Sequence, residues 1–165
     1  MADTPLILVA EDSENDVVIL RKALSQAFID HQLRVVSDGD QCIAYLSGLG
    51  QFCDRDQYPL PHLVLLDLHM PRKDGFQVLE WIRSQPGLKQ LPVVVLTSSN
   101  NLREMNTAYR LGAASFLLKP PSSKDLSELS RLLPIRFLLP VTTPVKITEI
   151  PPPTDAPGRR TPGIP

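Results

Sequence analysis

Apolar residues in this chain fall into short unbroken runs, separated by longer stretches in which they recur at helical spacing. Leu6-Ile7-Leu8-Val9-Ala10, Leu63-Val64-Leu65-Leu66 and Leu91-Pro92-Val93-Val94-Val95-Leu96 are runs without polar alternation. Such runs suit strands covered on both faces, as in a parallel sheet flanked by helices. Leu33-Arg34-Val35-Val36 predicts a shorter strand and Ala114-Ser115-Phe116-Leu117-Leu118-Lys119 a final one. Between them, five stretches repeat apolar residues at about 3.6 residues per turn. The first carries Val17, Val18, Leu20, Leu24, Ala27 and Phe28, and the second Cys42, Ile43, Tyr45 and Leu46. Phe76, Val78, Leu79, Trp81 and Ile82 mark the third, and Met105, Ala108, Tyr109 and Leu111 the fourth. The fifth turns Leu126, Leu129, Leu132 and Leu133 inward. Gly48 and Gly50 end the second helix, Pro86-Gly87 the third, Gly112 the fourth and Pro134 the fifth. Residues 51–62, with Pro59 and Pro61, read as a longer loop.

Five strands alternating with five helices predict an α/β domain with a parallel sheet between two helical layers. The pattern stops after Leu133. Residues 134–165 hold nine of the seventeen prolines, including Pro151-Pro152-Pro153. The chain therefore divides into a domain at 1–133 and an extended, partly polyproline segment at 134–165. Leu138, Val141, Val145 and Ile147 offer that segment a means of packing on the domain or on a partner.

Composition narrows the function. A formal net charge of −1 gives no global pull toward nucleic acid or an anionic membrane. Arg136, Lys146, Arg159 and Arg160 are too sparse for a nucleic-acid patch. No apolar run approaches the ~18 residues needed to span a bilayer. Only Cys42 and Cys53 occur, and nothing at the N-terminus resembles a secretion signal. The expectation is a cytoplasmic protein with free thiols.

Chemistry gathers where the strands end. Open parallel sheets bind ligands outside the carboxyl ends of their strands. There the chain places Glu11-Asp12, Asp67, Thr97 and Lys119. Each has a structural reading alone: a helix cap for Asp67, helix-dipole acids for Glu11-Asp12, a strand filler for Thr97, a snorkelling Lys119. Together, three carboxylates, a hydroxyl and an ammonium share one rim. Like charges about 4 Å apart repel by roughly 4 kcal/mol at an effective dielectric of about 20. A hard divalent cation, Mg²⁺, suits such a cluster. It would also make Asp67 a feasible phosphoryl acceptor, with Thr97 and Lys119 hydrogen-bonding phosphoryl oxygens.

Glu11-Asp12, Asp67 followed by Asp74-Gly75, Thr97 and Lys119-Pro120 together resemble the receiver domain of two-component response regulators. The resemblance spans residues 5–133. It implies a flavodoxin-like (βα)5 sandwich with sheet order 2-1-3-4-5. It implies that Asp67 accepts a phosphoryl group from a histidine kinase or histidine phosphotransfer protein. It further implies Mg²⁺ held by Asp12, Asp67 and the backbone carbonyl of His69, with Glu11 acting through water, and a cis Lys119–Pro120 peptide. Phe116 stands where the family places a switch residue that follows the hydroxyl at Thr97. A phenylalanine can make that packing move but offers no hydroxyl to a partner. The loop before His62 and the Pro71–Gly75 turn are similar to short, stand-alone receivers, some of which work with phytochrome-type kinases. The resemblance implies a downstream-partner or self-association face on the fourth helix, last strand and last helix, around Arg103, Tyr109, Arg110 and Ser115.

His69 is unusual for its position, and the expectation is that its ring tunes autodephosphorylation. Two rival functions stand beside this reading. A phosphatase with an Asp nucleophile would want a second acid two residues on, where His69 stands. A receiver-fold binding module that signals without phosphorylation would lack one of the key acids, the acceptor or the lysine, and this chain lacks none. A nucleotide-binding reading meets Glu11-Asp12-Ser13-Glu14 in place of a glycine-rich phosphate cradle.

Overall fold

The computed structural model describes residues 4–27 and 31–132. The segment at 134–165, with its apolar residues, lies outside these, as do Phe28 and Leu133 of the expected helical faces. Among the described residues five strands alternate with five helices. They are β1 (Leu6–Ala10), α1 (Glu14–Ala27), β2 (Gln32–Val36), α2 (Gly39–Ser47), β3 (Leu63–Asp67), α3 (Gly75–Ser84), β4 (Val93–Thr97), α4 (Leu102–Arg110), β5 (Ser115–Leu118) and α5 (Ser123–Leu132). All strand pairs are parallel, in the order β2-β1-β3-β4-β5. This is the flavodoxin-like order.

The unbroken apolar runs are explained by two cores. Successive strand side chains point to opposite faces. Leu8, Val64, Leu66, Val93 and Val95 pack with Tyr45, Val78, Leu79, Ile82 and Ala108 on one face. Ile7, Val9, Leu63, Leu65, Val94 and Leu96 pack with Leu20, Leu24, Leu126 and Leu129 on the other. Every residue of β1, β3 and β4 is buried. The edge strand β2 is not the shorter strand expected but has five residues like β1, β3 and β4, because its pairing extends to Gln32; it buries only Val36 fully, which fits its more polar sequence.

Helix faces differ from expectation at two places. In α1 the buried stripe is Leu20, Ala23, Leu24 and Ala27, while Val18 is 65% exposed. Val18 lies outside the narrow stripe that a 14-residue helix can present to the sheet. Tyr109 is 48% exposed, and α4 fully buries only Ala108. The loop 51–62 is built rather than irregular. A 3-10 turn at Gly50–Phe52 brings Phe52 against Tyr45 and Tyr58, with ring centroids 5.1 and 5.3 Å away. Arg55 donates to the carbonyls of Tyr45 and Leu46 at 2.8 Å, satisfying orphan acceptors at the end of α2. No helix of the described residues is long and apolar enough to cross a membrane.

The two cysteines are chemically unlike. Cys42 is wholly buried and Cys53 exposed. Burial, assisted by nearby Asp38, pushes the Cys42 thiol from 9.0 up to about 12. The thiolate is the reactive form. At pH 8 one thiol per native chain should react rapidly with a disulfide reagent and the second only in denaturant. Two equally fast thiols would contradict the packing around Cys42. The raised folded value means that this group favours the fold fully below its unfolded pKa. That contribution is lost as pH rises from about 9 through 12.

Candidate functional site

Strand register assembles the site. Ala10 pairs with Leu66, so Glu11 and Asp12 leave β1 where Asp67 ends β3. Asp67 pairs with Leu96 and Thr97 with Leu118, which brings Thr97 and Lys119 to the same rim. The Lys119 amide donates to the Thr97 carbonyl at 2.8 Å, and the Lys119–Pro120 peptide is cis. Ser13 caps α1 through Asp16 N–H, and its own amide donates to Glu11 Oε1 at 3.1 Å.

The turn after Asp67 depends on close backbone approach. Gly75 N–H donates to the Leu68 carbonyl at 2.9 Å, and a Cβ at Gly75 would lie 2.4 Å from the Asp67 carbonyl oxygen. Only glycine permits that approach. Asp74 caps α3 in a reciprocal capping box with Gln77. Arg72, at φ 69°, reaches Asp38 at 3.3 Å and ties the turn to the start of α2.

Four of the expected groups meet directly. One oxygen from each of Glu11, Asp12 and Asp67 lies within 4.8 Å of the others. Glu11 and Asp67 are buried, whereas Asp12 is exposed. Lys119 Nζ contacts Glu11 Oε2 and lies 3.1 Å from Asp67 Oδ2. Thr97 is fully buried, and its Oγ1 accepts the Ser99 amide at 3.1 Å. His69 N–H donates to Asp67 Oδ1 at 3.2 Å, but its ring points to α4, with Nε2 3.3 Å from Glu104 Oε1. Phe116 is half-buried and packs against the core on the α2–α3–α4 side.

Burial pushes the Glu11 carboxyl up to about 7, against the opposing hydrogen bond from Lys119. Burial also opposes the charge on Lys119. Its hydrogen bonds and attraction to Glu11 and Asp67 outweigh that and hold the ammonium above its ordinary value. Three oxygen donors in one cluster, two of them buried with a single ammonium between them, fit a hard divalent cation. Two participants were not anticipated from the sequence. Asp16 Oδ2 lies 3.2 Å from Lys119 Nζ, and Glu104 faces His69. Asp16 lies in the first turn of α1, and the rotation of that helix set by its buried Leu20 and Leu24 carries it to the rim.

A parallel α/β domain whose strand ends converge a carboxylate cluster, a buried hydroxyl and a lysine has the layout of a signalling receiver. The model of the response regulator receiver domain family matches residues 7–131. The chain belongs to this family. It is similar to response regulator Rcp1 of Synechocystis sp., with 37% identity over 139 residues, covering 84% of this chain and 92% of that protein. Among solved structures it resembles the Mn²⁺-bound form of Rcp1, at 37% identity and TM-score 0.67, covering 86% of this chain and 99% of that one. It also resembles the phosphorylated cyanobacterial phytochrome response regulator RcpA, at 33% identity and TM-score 0.67, covering 77% and 89%. A third is the response regulator RPA3017 in red light signalling of R. palustris, at 37% identity and TM-score 0.71, covering 84% and 99%.

The chain is thus a two-component receiver, with a signalling role. Response regulators of this kind pair with histidine kinases, are phosphorylated on aspartate and bind Mg²⁺ or Mn²⁺ at the acidic site. Neither the phosphatase nor the phosphorylation-independent module is favoured by this family membership.

Proposed function

We propose that Asp67 is the phosphoacceptor and that residues 1–133 form the receiver, with 134–165 an extension to it. The observation that carries this reading is the bridge made by Lys119 Nζ between Asp67 Oδ2, at 3.1 Å, and Glu11. It places Asp67 at the open rim in a cluster whose carboxylates outnumber its one ammonium. A carboxylate oxygen of Asp67 attacks the phosphorus of a phosphohistidine. The P–N bond breaks, and the imidazole leaves and takes up a proton. An acyl phosphate on Asp67 results. Lys119 and Thr97 donate to the phosphoryl oxygens. Water attack on phosphorus reverses the mark, returning the Asp67 carboxylate and inorganic phosphate, and His69 tunes that rate.

Asp12, Asp67 and the His69 carbonyl would hold Mg²⁺, with Glu11 acting through water. When bound, Mg²⁺ offsets the charge brought together by carboxylate and phosphoryl group. Thr97 moves toward the phosphoryl group and Phe116 follows, biasing an existing equilibrium. The output is the face formed by α4, β5 and α5, around Arg103, Tyr109, Arg110 and Ser115. Exposed Leu102, Tyr109 and Leu118 give it the apolar content of a partner or self-association surface. The input is a histidine kinase of phytochrome type or a phosphotransfer protein, in the cytoplasm. Red-light and phytochrome relatives support the kinase class.

Incubation with acetyl phosphate, followed by intact-mass analysis, tests the acceptor reading. The expected result is a single phosphoryl adduct that requires Mg²⁺. A folded chain that takes no adduct would overturn it.

A further inference from the structure

Glu104 is an odd surface acid. It occupies the first turn of α4, yet its side chain is largely covered, and its Oε2 is buried without a hydrogen-bond partner among the described residues. A carboxylate oxygen stripped of water and left unpaired is unfavourable unless the other oxygen is well engaged. That oxygen, Oε1, lies 3.3 Å from His69 Nε2. His69 is two residues beyond Asp67, and its amide already donates to Asp67 Oδ1. One half-exposed side chain of the phosphoacceptor turn thus contacts the start of α4, and α4 itself fully buries only Ala108.

We infer that the His69–Glu104 contact is a latch that fastens α4 to the phosphoacceptor turn in the unphosphorylated protein and opens when Asp67 is phosphorylated. The release step rests on the acceptor reading above. The latch itself does not. A phosphoryl group adds about −1.5 to −2 charge beside His69 and three strong acceptor oxygens. The imidazole N–H then has a stronger acceptor than Glu104 within reach of its own turn. Glu104, its partner gone, gains by turning its covered oxygen into water, and the first turn of α4 moves with it. The result is an element with two arrangements, each favoured by one state of Asp67.

Hydrogen exchange across residues 102–110 tests both steps. In the unphosphorylated protein, Glu104→Met, which keeps the side chain's length but not its acceptor, and His69→Asn should each speed exchange of the first turn of α4 by roughly fivefold. The double variant should exchange no faster than either single, because both break one contact. A helix-dipole role for Glu104 alone would leave His69→Asn without effect, and that outcome overturns the latch. So does unchanged exchange in Glu104→Met. Phosphorylation of the wild type, verified by mass, should raise α4 exchange to the level of the variants and change the variants little. Faithful phosphorylation without that rise overturns the release step. Failure to phosphorylate at all defeats the acceptor reading and the release step together, while the exchange of the unphosphorylated variants still decides the latch.

Discussion

Asp67→Asn should take up no phosphoryl group from acetyl phosphate under conditions in which the wild type forms its Mg²⁺-dependent adduct. An amide oxygen is not a competent nucleophile, and no carboxylate is left at the end of β3. The two other acids of the cluster are poor substitutes. Glu11 is buried, with Oε2 against Lys119 and Oε1 accepting the Ser13 amide. Asp12 is exposed and not fixed by Lys119. The fold should survive the change. Asparagine keeps an oxygen for the His69 amide, and Lys119 retains Glu11 and Asp16 as partners. The loss of one charge also relieves repulsion between Glu11 and Asp67. Thermal unfolding within a few degrees of the wild type, with no adduct, is the expected pair of results. An adduct formed at the wild-type rate, mapped by peptide analysis to Asp12, would displace Asp67 from the role.

The same residues show what the sequence could disclose and what it could not. Strand ends were legible because apolar runs stop abruptly at Glu11, Asp67 and Thr97, and a parallel sheet sends all such ends to one rim. The sheet's double burial was legible for the same reason. The partners of those ends were less so. Asp16 carries no special signal beside Glu14 and Asn15, since acids are expected in a helix's first turn. Only the helix rotation fixed by burial of Leu20 and Leu24 aims it at Lys119. Glu104 reads as an ordinary polar position on α4, and its cover depends on how the turn at His69 folds back. Arg55 is similar, because a loop arginine gives no hint that it caps α2 from ten residues away. Each of these contacts joins two segments whose relative placement is set by the tertiary structure, and local periodicity says nothing about it.

Lys119→Met should have the second largest effect, and in the absence of Mg²⁺ it should appear first as lost stability. Methionine fills the space of the lysine stem but leaves Glu11 and Asp67 buried without their ammonium. Removing one partner of a buried charge cluster typically costs about 3–5 kcal/mol. The pH dependence has a definite sign. Burial already raises the Glu11 carboxyl to about 7, and Lys119 restrains that rise most, with the Ser13 amide beside it. A raised carboxyl favours the fold fully below its unfolded value and loses that contribution as pH climbs through the folded one. The variant's deficit should therefore be smallest near pH 4.5 and grow toward pH 7 and above. Mg²⁺ should reverse the loss, because a ligand that binds only the native state stabilises it by mass action. With the competing ammonium gone, Mg²⁺ should bind roughly tenfold more tightly, about 1.4 kcal/mol. Phosphorylation should nevertheless be slower, since one donor to the phosphoryl oxygens is missing. Unfolding curves across pH with and without Mg²⁺, together with a metal titration, measure all of this. If stability proves insensitive to the substitution at pH 7 and Mg²⁺ affinity does not move, Lys119 is not the counter-charge of the acidic cluster.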